Sequence, residues 1–253
     1  MSQPRLTLQD LYDGNQRFMH GNEPSNIDRH VRIDKQEPPF LLFNCADSRL
    51  PGSLVFSVPL GNIFSSANIA NQFNEQDLNT KSVLSFAVDN LKVDHIIVMG
   101  HYGCGGVAAA IASPPKGDIS AAGITIHEYI APIRRIYQTT ERPEIASYRE
   151  AKAPIPVEDP ANEDHDYRFI AYSRDPALYS TARALVEENV RAQVARIATS
   201  ELMTEKFNSP DLSATGVFIH GFVYELETGQ VYDLGVSVGR PGIVPHMPFP
   251  RAP

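Results

Sequence analysis

Cys45 and Cys104 are the only cysteines in a chain of 253 residues, and His101 stands three positions before the second of them. A free cysteine is ordinarily a small buried apolar residue, and a single possible pair makes a disulfide framework implausible in a large intracellular chain. Two thiolates and an imidazole, however, form the soft sulfur-and-nitrogen set that zinc prefers. Structural zinc sites are closed by four protein ligands, whereas catalytic sites hold three and keep the fourth position for water. Cys45, His101 and Cys104 are therefore candidate ligands for one Zn2+ per chain, and with no third cysteine a closed site would need another histidine or a carboxylate. The spacing His101-Tyr102-Gly103-Cys104 lets one loop supply two ligands, with glycines that let the backbone turn tightly around the ion. Other chemistries fit the same residues less well. A phosphatase loop needs five residues between cysteine and arginine, but only Ala46, Asp47 and Ser48 separate Cys45 from Arg49. The stretch Gly100–Gly106 lacks the Lys-Ser/Thr of a phosphate-binding loop. The remaining histidines, at 20, 30, 95, 127, 165, 220 and 246, read as surface or hydrogen-bonded structural residues.

Ligands this far apart in sequence must be carried to one place by the fold. Pro39–Cys45 is nearly all apolar and is followed by the turn residues Asp47, Ser48, Pro51 and Gly52, so it reads as a buried strand ending at Cys45. A shorter strand is expected at Asn62–Ala67 and a helix at Thr80–Leu91. A second apolar strand, His95–Gly100, delivers His101, and the glycine-flanked Cys104 opens another helix. This repeated order implies right-handed crossovers and an α/β fold, a mainly parallel β-sheet flanked by helices. Both cysteines and the histidine then fall just after strands, where open α/β sheets place their ligand sites. Further helix is expected over Pro176–Glu205. Two strands follow, Thr215–Leu226 and Val231–Val238, joined by Glu227-Thr228-Gly229. Residues 139–180, rich in Pro, Asp, Glu and Arg, read as a surface insertion. Leu8, Leu11, Tyr12 and Phe18 mark an amphipathic helix over 7–20, part of an N-terminal helical arm at 1–35. A single domain, 1–253, is expected.

A net charge of -8 disfavours partners held by phosphate neutralisation, nucleic acid and anionic membrane alike, and favours a small-molecule substrate. The opening MSQPRLTLQDLYDG has no apolar signal core and carries Asp10 and Asp13 early, which leads to the expectation of a cytoplasmic protein.

The motifs CADSR at 45–49 and HYGCGG at 101–106, with their separation, resemble those of the β-carbonic anhydrase family. So do QEPPFLLFNC at 36–45, SFAVDNLKV at 85–93, EENVRAQV at 187–194 and GFVYELETGQV at 221–231. The resemblance implies a lyase that uses zinc to hydrate carbon dioxide reversibly to bicarbonate and a proton. It also implies a homodimer or dimer of dimers, with the N-terminal helices embracing a neighbour. By position it implies Cys45, His101 and Cys104 as metal ligands and Asp47 with Arg49 as a paired dyad beside the metal. Gln36 and Gly105 become substrate-facing, and Phe64, Ile69 and Phe86 line an apolar pocket. In such a site Asp47 can accept a hydrogen bond from the attacking oxygen while Arg49 grips its carboxylate. Two departures stand out: Ala67 replaces a common arginine, and Phe86 a common tyrosine. With no tryptophan in the chain either, a regulatory bicarbonate pocket is not expected. Alternatives at the same site are hydrolysis of carbonyl sulfide or carbon disulfide, or a weakly active zinc-stabilised scaffold.

Overall fold

The computed structural model describes residues 8, 9, 12, 13, 16, 35–113, 120–152, 168–209, 216–239 and 247–253. Its centre is a five-stranded sheet in the order β2-β1-β3-β4-β5. Strands β1 (Phe40–Cys45), β2 (Ile63–Asn68), β3 (His95–His101) and β4 (Phe218–Tyr224) are parallel, and β5 (Val231–Asp233) closes one edge antiparallel to β4. The expected α/β fold is the one observed. The short helix α1 (Gly52–Val55) follows β1, and the turn Ile69–Asn71 follows β2. Helix α2 (Leu78–Ser85) runs on as a wider turn over Phe86–Leu91 into β3. Then come α3 (Gly105–Ile111), α4 (Ala121–Tyr129), α5 (Ala131–Thr139), α6 (Pro143–Ala151), α7 (Arg168–Ala171), α8 (Pro176–Ala198) and α9 (Glu201–Asn208).

Alternation along the strands divides the core. Leu41, Phe43, Ile96, Val98, Ile219 and Val223 face the helices, and α8 covers them with Leu185, Val186, Val190 and Val194. Leu42, Ile97, Met99 and Phe222 face the other way, against Phe56 and Phe249. The expected helix over 176–205 breaks at Thr199, because the Ser200 side chain caps α9 by accepting from the Met203 amide.

The surface insertion expected at 139–180 needs correction. Its described parts are helical, and Ile145 in α6 and Ile170 in α7 are fully buried in the main core. Helix α6 packs on α8, and α7 packs on α3 and α8. The charged residues of this segment hid a few apolar anchors too sparse to read as periodicity. Residues 153–167 lie outside the described residues, as does most of the arm at 1–35. Of the helix expected at 7–20, residues 8, 9, 12, 13 and 16 are described; all are helical, with Leu8 and Tyr12 exposed. No helix among the described residues is long and apolar enough to cross a membrane.

Candidate metal centre

Cys45 is the last residue of β1 and His101 the last of β3, neighbouring parallel strands, while Cys104 immediately precedes α3. The two sulfurs are 3.9 Å apart, and the three ligand atoms lie within 4.8 Å of one another. Tetrahedral zinc, with Zn–S near 2.3 Å, would set its sulfurs about 3.8 Å apart, so the spacing fits the ion. The imidazole adds a second observation. Its Nδ1 lies 3.0 Å from the Tyr102 carbonyl and donates there, which leaves the lone pair on Nε2. That atom is buried and has no hydrogen-bond partner. A buried acceptor is rarely left bare, and a cation between it and the two sulfurs would satisfy it.

The electrostatics point the same way. The Cys45 thiol is held well below the usual thiol range by its hydrogen bond with Cys104, helped by His101 and by the Ala70 amide, which donates to the sulfur. Cys104 is pushed up by that same Cys45 and by burial, although the Gly106 and Val107 amides donate to it. Two adjacent thiolates repel, so without a cation one of the pair keeps its proton. A dication removes the conflict.

The Ala70 amide is itself held in place. Ala70 and Asn71 adopt left-handed φ of 60° and 46°, an unfavourable pair for residues with side chains. The Asn68 side chain secures the turn from within, donating to the Gln72 carbonyl and accepting from its amide, each at 2.7 Å. Helix α8 secures it from outside, where Asn189 donates to the Ala70 carbonyl at 2.9 Å and Gln193 braces Asn189 at 2.8 Å.

Beside the ligands, Arg49 grips Asp47 with two parallel bonds, Nε to Oδ1 at 2.8 Å and Nη2 to Oδ2 at 2.6 Å, and the Arg49 amide also donates to Oδ1. These bonds hold the Asp47 carboxyl down to about 2, so it is ionised at any working pH.

A family model described as carbonic anhydrase matches residues 40–231. The chain belongs to the β-carbonic anhydrase family. It is 29% identical over 209 residues to a carbonic anhydrase of Emericella nidulans, covering 83% of this chain and 74% of that one. Over 231 residues it is 29% identical to a carbonic anhydrase of Candida albicans, covering 89% and 67%. In fold it resembles the Coccomyxa β-carbonic anhydrase solved with acetazolamide, with a TM-score of 0.68, 24% identity and coverage of 93% and 89%. It also resembles the tetrameric β-carbonic anhydrases of Sordaria macrospora, with a TM-score of 0.62, 22% identity and coverage of 91% and 95%.

Within the family frame, the pocket residues expected from sequence are distributed unevenly. Phe64 and Phe86 meet, with ring centroids 5.9 Å apart, and Phe86 is 44% exposed. Ile69, 41% exposed, approaches α3 so closely that a Cβ on Gly106 would overlap it. Gly105 is half-buried in the first turn of α3. Gln36 is exposed ahead of β1 and outside the span matched by the family model.

Sequence reasoning missed a buried network behind the histidine. The Tyr102 hydroxyl donates to Glu187 at 2.7 Å, Arg142 donates to the other Glu187 oxygen at 2.7 Å, and the Arg183 guanidinium lies 3.4 Å above the Tyr102 ring. Glu187 opens the EENV motif, the one sequence signal that could have found it. His95 and His220 were missed as a pair. They are 125 residues apart yet meet across β3 and β4, Nδ1 to Nε2, at 3.0 Å.

Proposed function

We propose that this chain is a zinc enzyme that hydrates carbon dioxide reversibly to bicarbonate and a proton. The observation that carries the reading is the convergence of Cys45 Sγ, His101 Nε2 and Cys104 Sγ, with the imidazole lone pair buried and unpartnered. Zinc held there would lower the pKa of a water toward about 7 and so supply hydroxide near neutral pH. The remaining work falls to the chain. Asp47, ionised and clamped by Arg49, would accept a hydrogen bond from the attacking oxygen and turn its lone pair toward carbon. The Ala70, Gly106 and Val107 amides steady the sulfurs. Phe64, Ile69 and Phe86 offer an apolar wall to an uncharged linear substrate, and Gln36 and Gly105 would face it.

The reading extends to assembly. A homodimer or dimer of dimers is supported by the exposed Leu8 and Tyr12 on one helical face and by the tetrameric relatives from Sordaria macrospora. Stopped-flow carbon dioxide hydration on protein with measured zinc content tests the activity. Full zinc with no hydration above the buffer rate would refute it, and sedimentation of the intact chain as an active monomer would refute the assembly.

A further inference from the structure

Tyr102 stands between His101, the last residue of β3, and Gly103, whose φ is 78°. Its carbonyl lies 3.0 Å from His101 Nδ1 and assigns the ring proton to that nitrogen, which leaves the Nε2 lone pair for the metal position. The Tyr102 amide still belongs to the sheet, donating to the Tyr224 carbonyl at 3.0 Å. The strand pairing ends there, and glycine at 103 lets the next peptide turn with little resistance. The direction of the Tyr102 carbonyl therefore depends on how the Tyr102 side chain is held.

That side chain is buried and held at two places. Its hydroxyl donates to Glu187 Oε1 at 2.7 Å, and the Arg183 guanidinium lies 3.4 Å above its ring while donating to Glu225 at 2.7 Å. Glu187 projects from α8 and is only 6% exposed, and a carboxylate so far out of water needs a partner to stay ionised. Arg142, which immediately precedes α6 at the start of the segment that sequence reading left without a role, supplies it at 2.7 Å on the other oxygen. Hydrogen bonds to ionised groups are the stronger kind. One line of printed-length contacts thus runs from Arg142 through Glu187 and the Tyr102 hydroxyl to the carbonyl that orients a ligand.

We propose that Glu187 is a positioning residue of the metal centre, acting through the Tyr102 hydroxyl to keep the Tyr102 carbonyl on His101 Nδ1 and the Nε2 lone pair aimed between the two sulfurs. The proposal rests on the zinc-enzyme reading above. A tyrosine released at its hydroxyl would let the peptide it shares with Gly103 turn, and the imidazole would lose the acceptor that excludes its other tautomer.

Tyr102→Phe removes the hydroxyl and keeps the ring beneath Arg183. In metal-free protein at about pH 9, well above the ordinary imidazole pKa, nitrogen NMR should show His101 as the Nδ1–H tautomer in the parent and as a mixture of tautomers in the variant. Competition with a chelator should show zinc held roughly tenfold more weakly. Glu187→Ala should give both changes, and the double variant should be no worse than the worse single one, because both remove the same bond. Should Glu187→Ala fail to fold, Tyr102→Phe alone decides. A His101 ring that keeps the parent's tautomer in Tyr102→Phe overturns the proposal, however far the melting temperature falls, and so does parental zinc affinity. Losses that add in the double variant also overturn it, since Glu187 would then act by another route. A parent that binds zinc without hydrating carbon dioxide would instead overturn the functional reading, because neither measurement needs turnover.

Discussion

Asp47 Oδ2 sits 3.8 Å from His101 Nε2, and it is Arg49, bonded at 2.6 Å to that same oxygen, that holds the carboxylate where it is. The site therefore keeps an anion at the edge of the metal position without letting it enter. An ionised carboxylate left alone there would be drawn to any cation the ligands hold.

Removing the clamp should release the anion. Arg49→Ala is expected to retain zinc but lose roughly 10- to 100-fold in activity, the usual cost of losing a partner that orients groups around a metal. A crystal structure of the variant should show Asp47 closer to the ligand atoms. Activity equal to the parent would defeat this account.

The ligand assignment makes a simpler demand. The parent should hold about one zinc per chain, and Cys45→Ser, His101→Ala and Cys104→Ser should each bind it at least tenfold more weakly. Elemental analysis after dialysis checks this, and full zinc in all three variants would show the assignment to be wrong.

Hydration activity should rise between about pH 6.5 and 8.5, later than in an enzyme whose zinc is held by three neutral histidines. Two thiolates cancel the dication's formal charge, so it acidifies its water less, and the ionised Asp47 opposes forming a second anion nearby. A flat profile of kcat/KM against pH would contradict it.

Stability should also depend on pH, through His220. Burial first, and then His95, lower this imidazole from its ordinary 6.5 to about 4 in the folded chain. The unfolded chain thus binds the proton more readily, and the neutral folded form is favoured above pH 6.5. As pH falls from 6.5 toward 4, folding should lose stability, by up to about 3 kcal/mol. Urea unfolding across that window measures the slope, which His220→Asn should flatten.

Much of the site was legible in the sequence because its ligands belong to short motifs at strand ends. CADSR and HYGCGG carry Cys45, Asp47, Arg49, His101 and Cys104, and the apolar runs before them read as strands whose ends neighbour one another in a parallel sheet. The candidate ligand set and the fold class follow from local residue types and from the rule that ligands gather at the carboxyl ends of such strands, whereas the Asp47–Arg49 dyad is what the resemblance of CADSR to the family motif implies. Long-range pairing was not legible. Nothing in the composition of 139–180 shows that Ile145 and Ile170 enter the core, or that Tyr172 reaches Gly103. Nor does spacing reveal that Asn189 and Gln193 hold the left-handed Ala70 turn, or that His95 meets His220. These contacts depend on where helices dock after they form, and docking is decided by the summed packing of the whole core, of which each residue's neighbours in sequence contain only a small part.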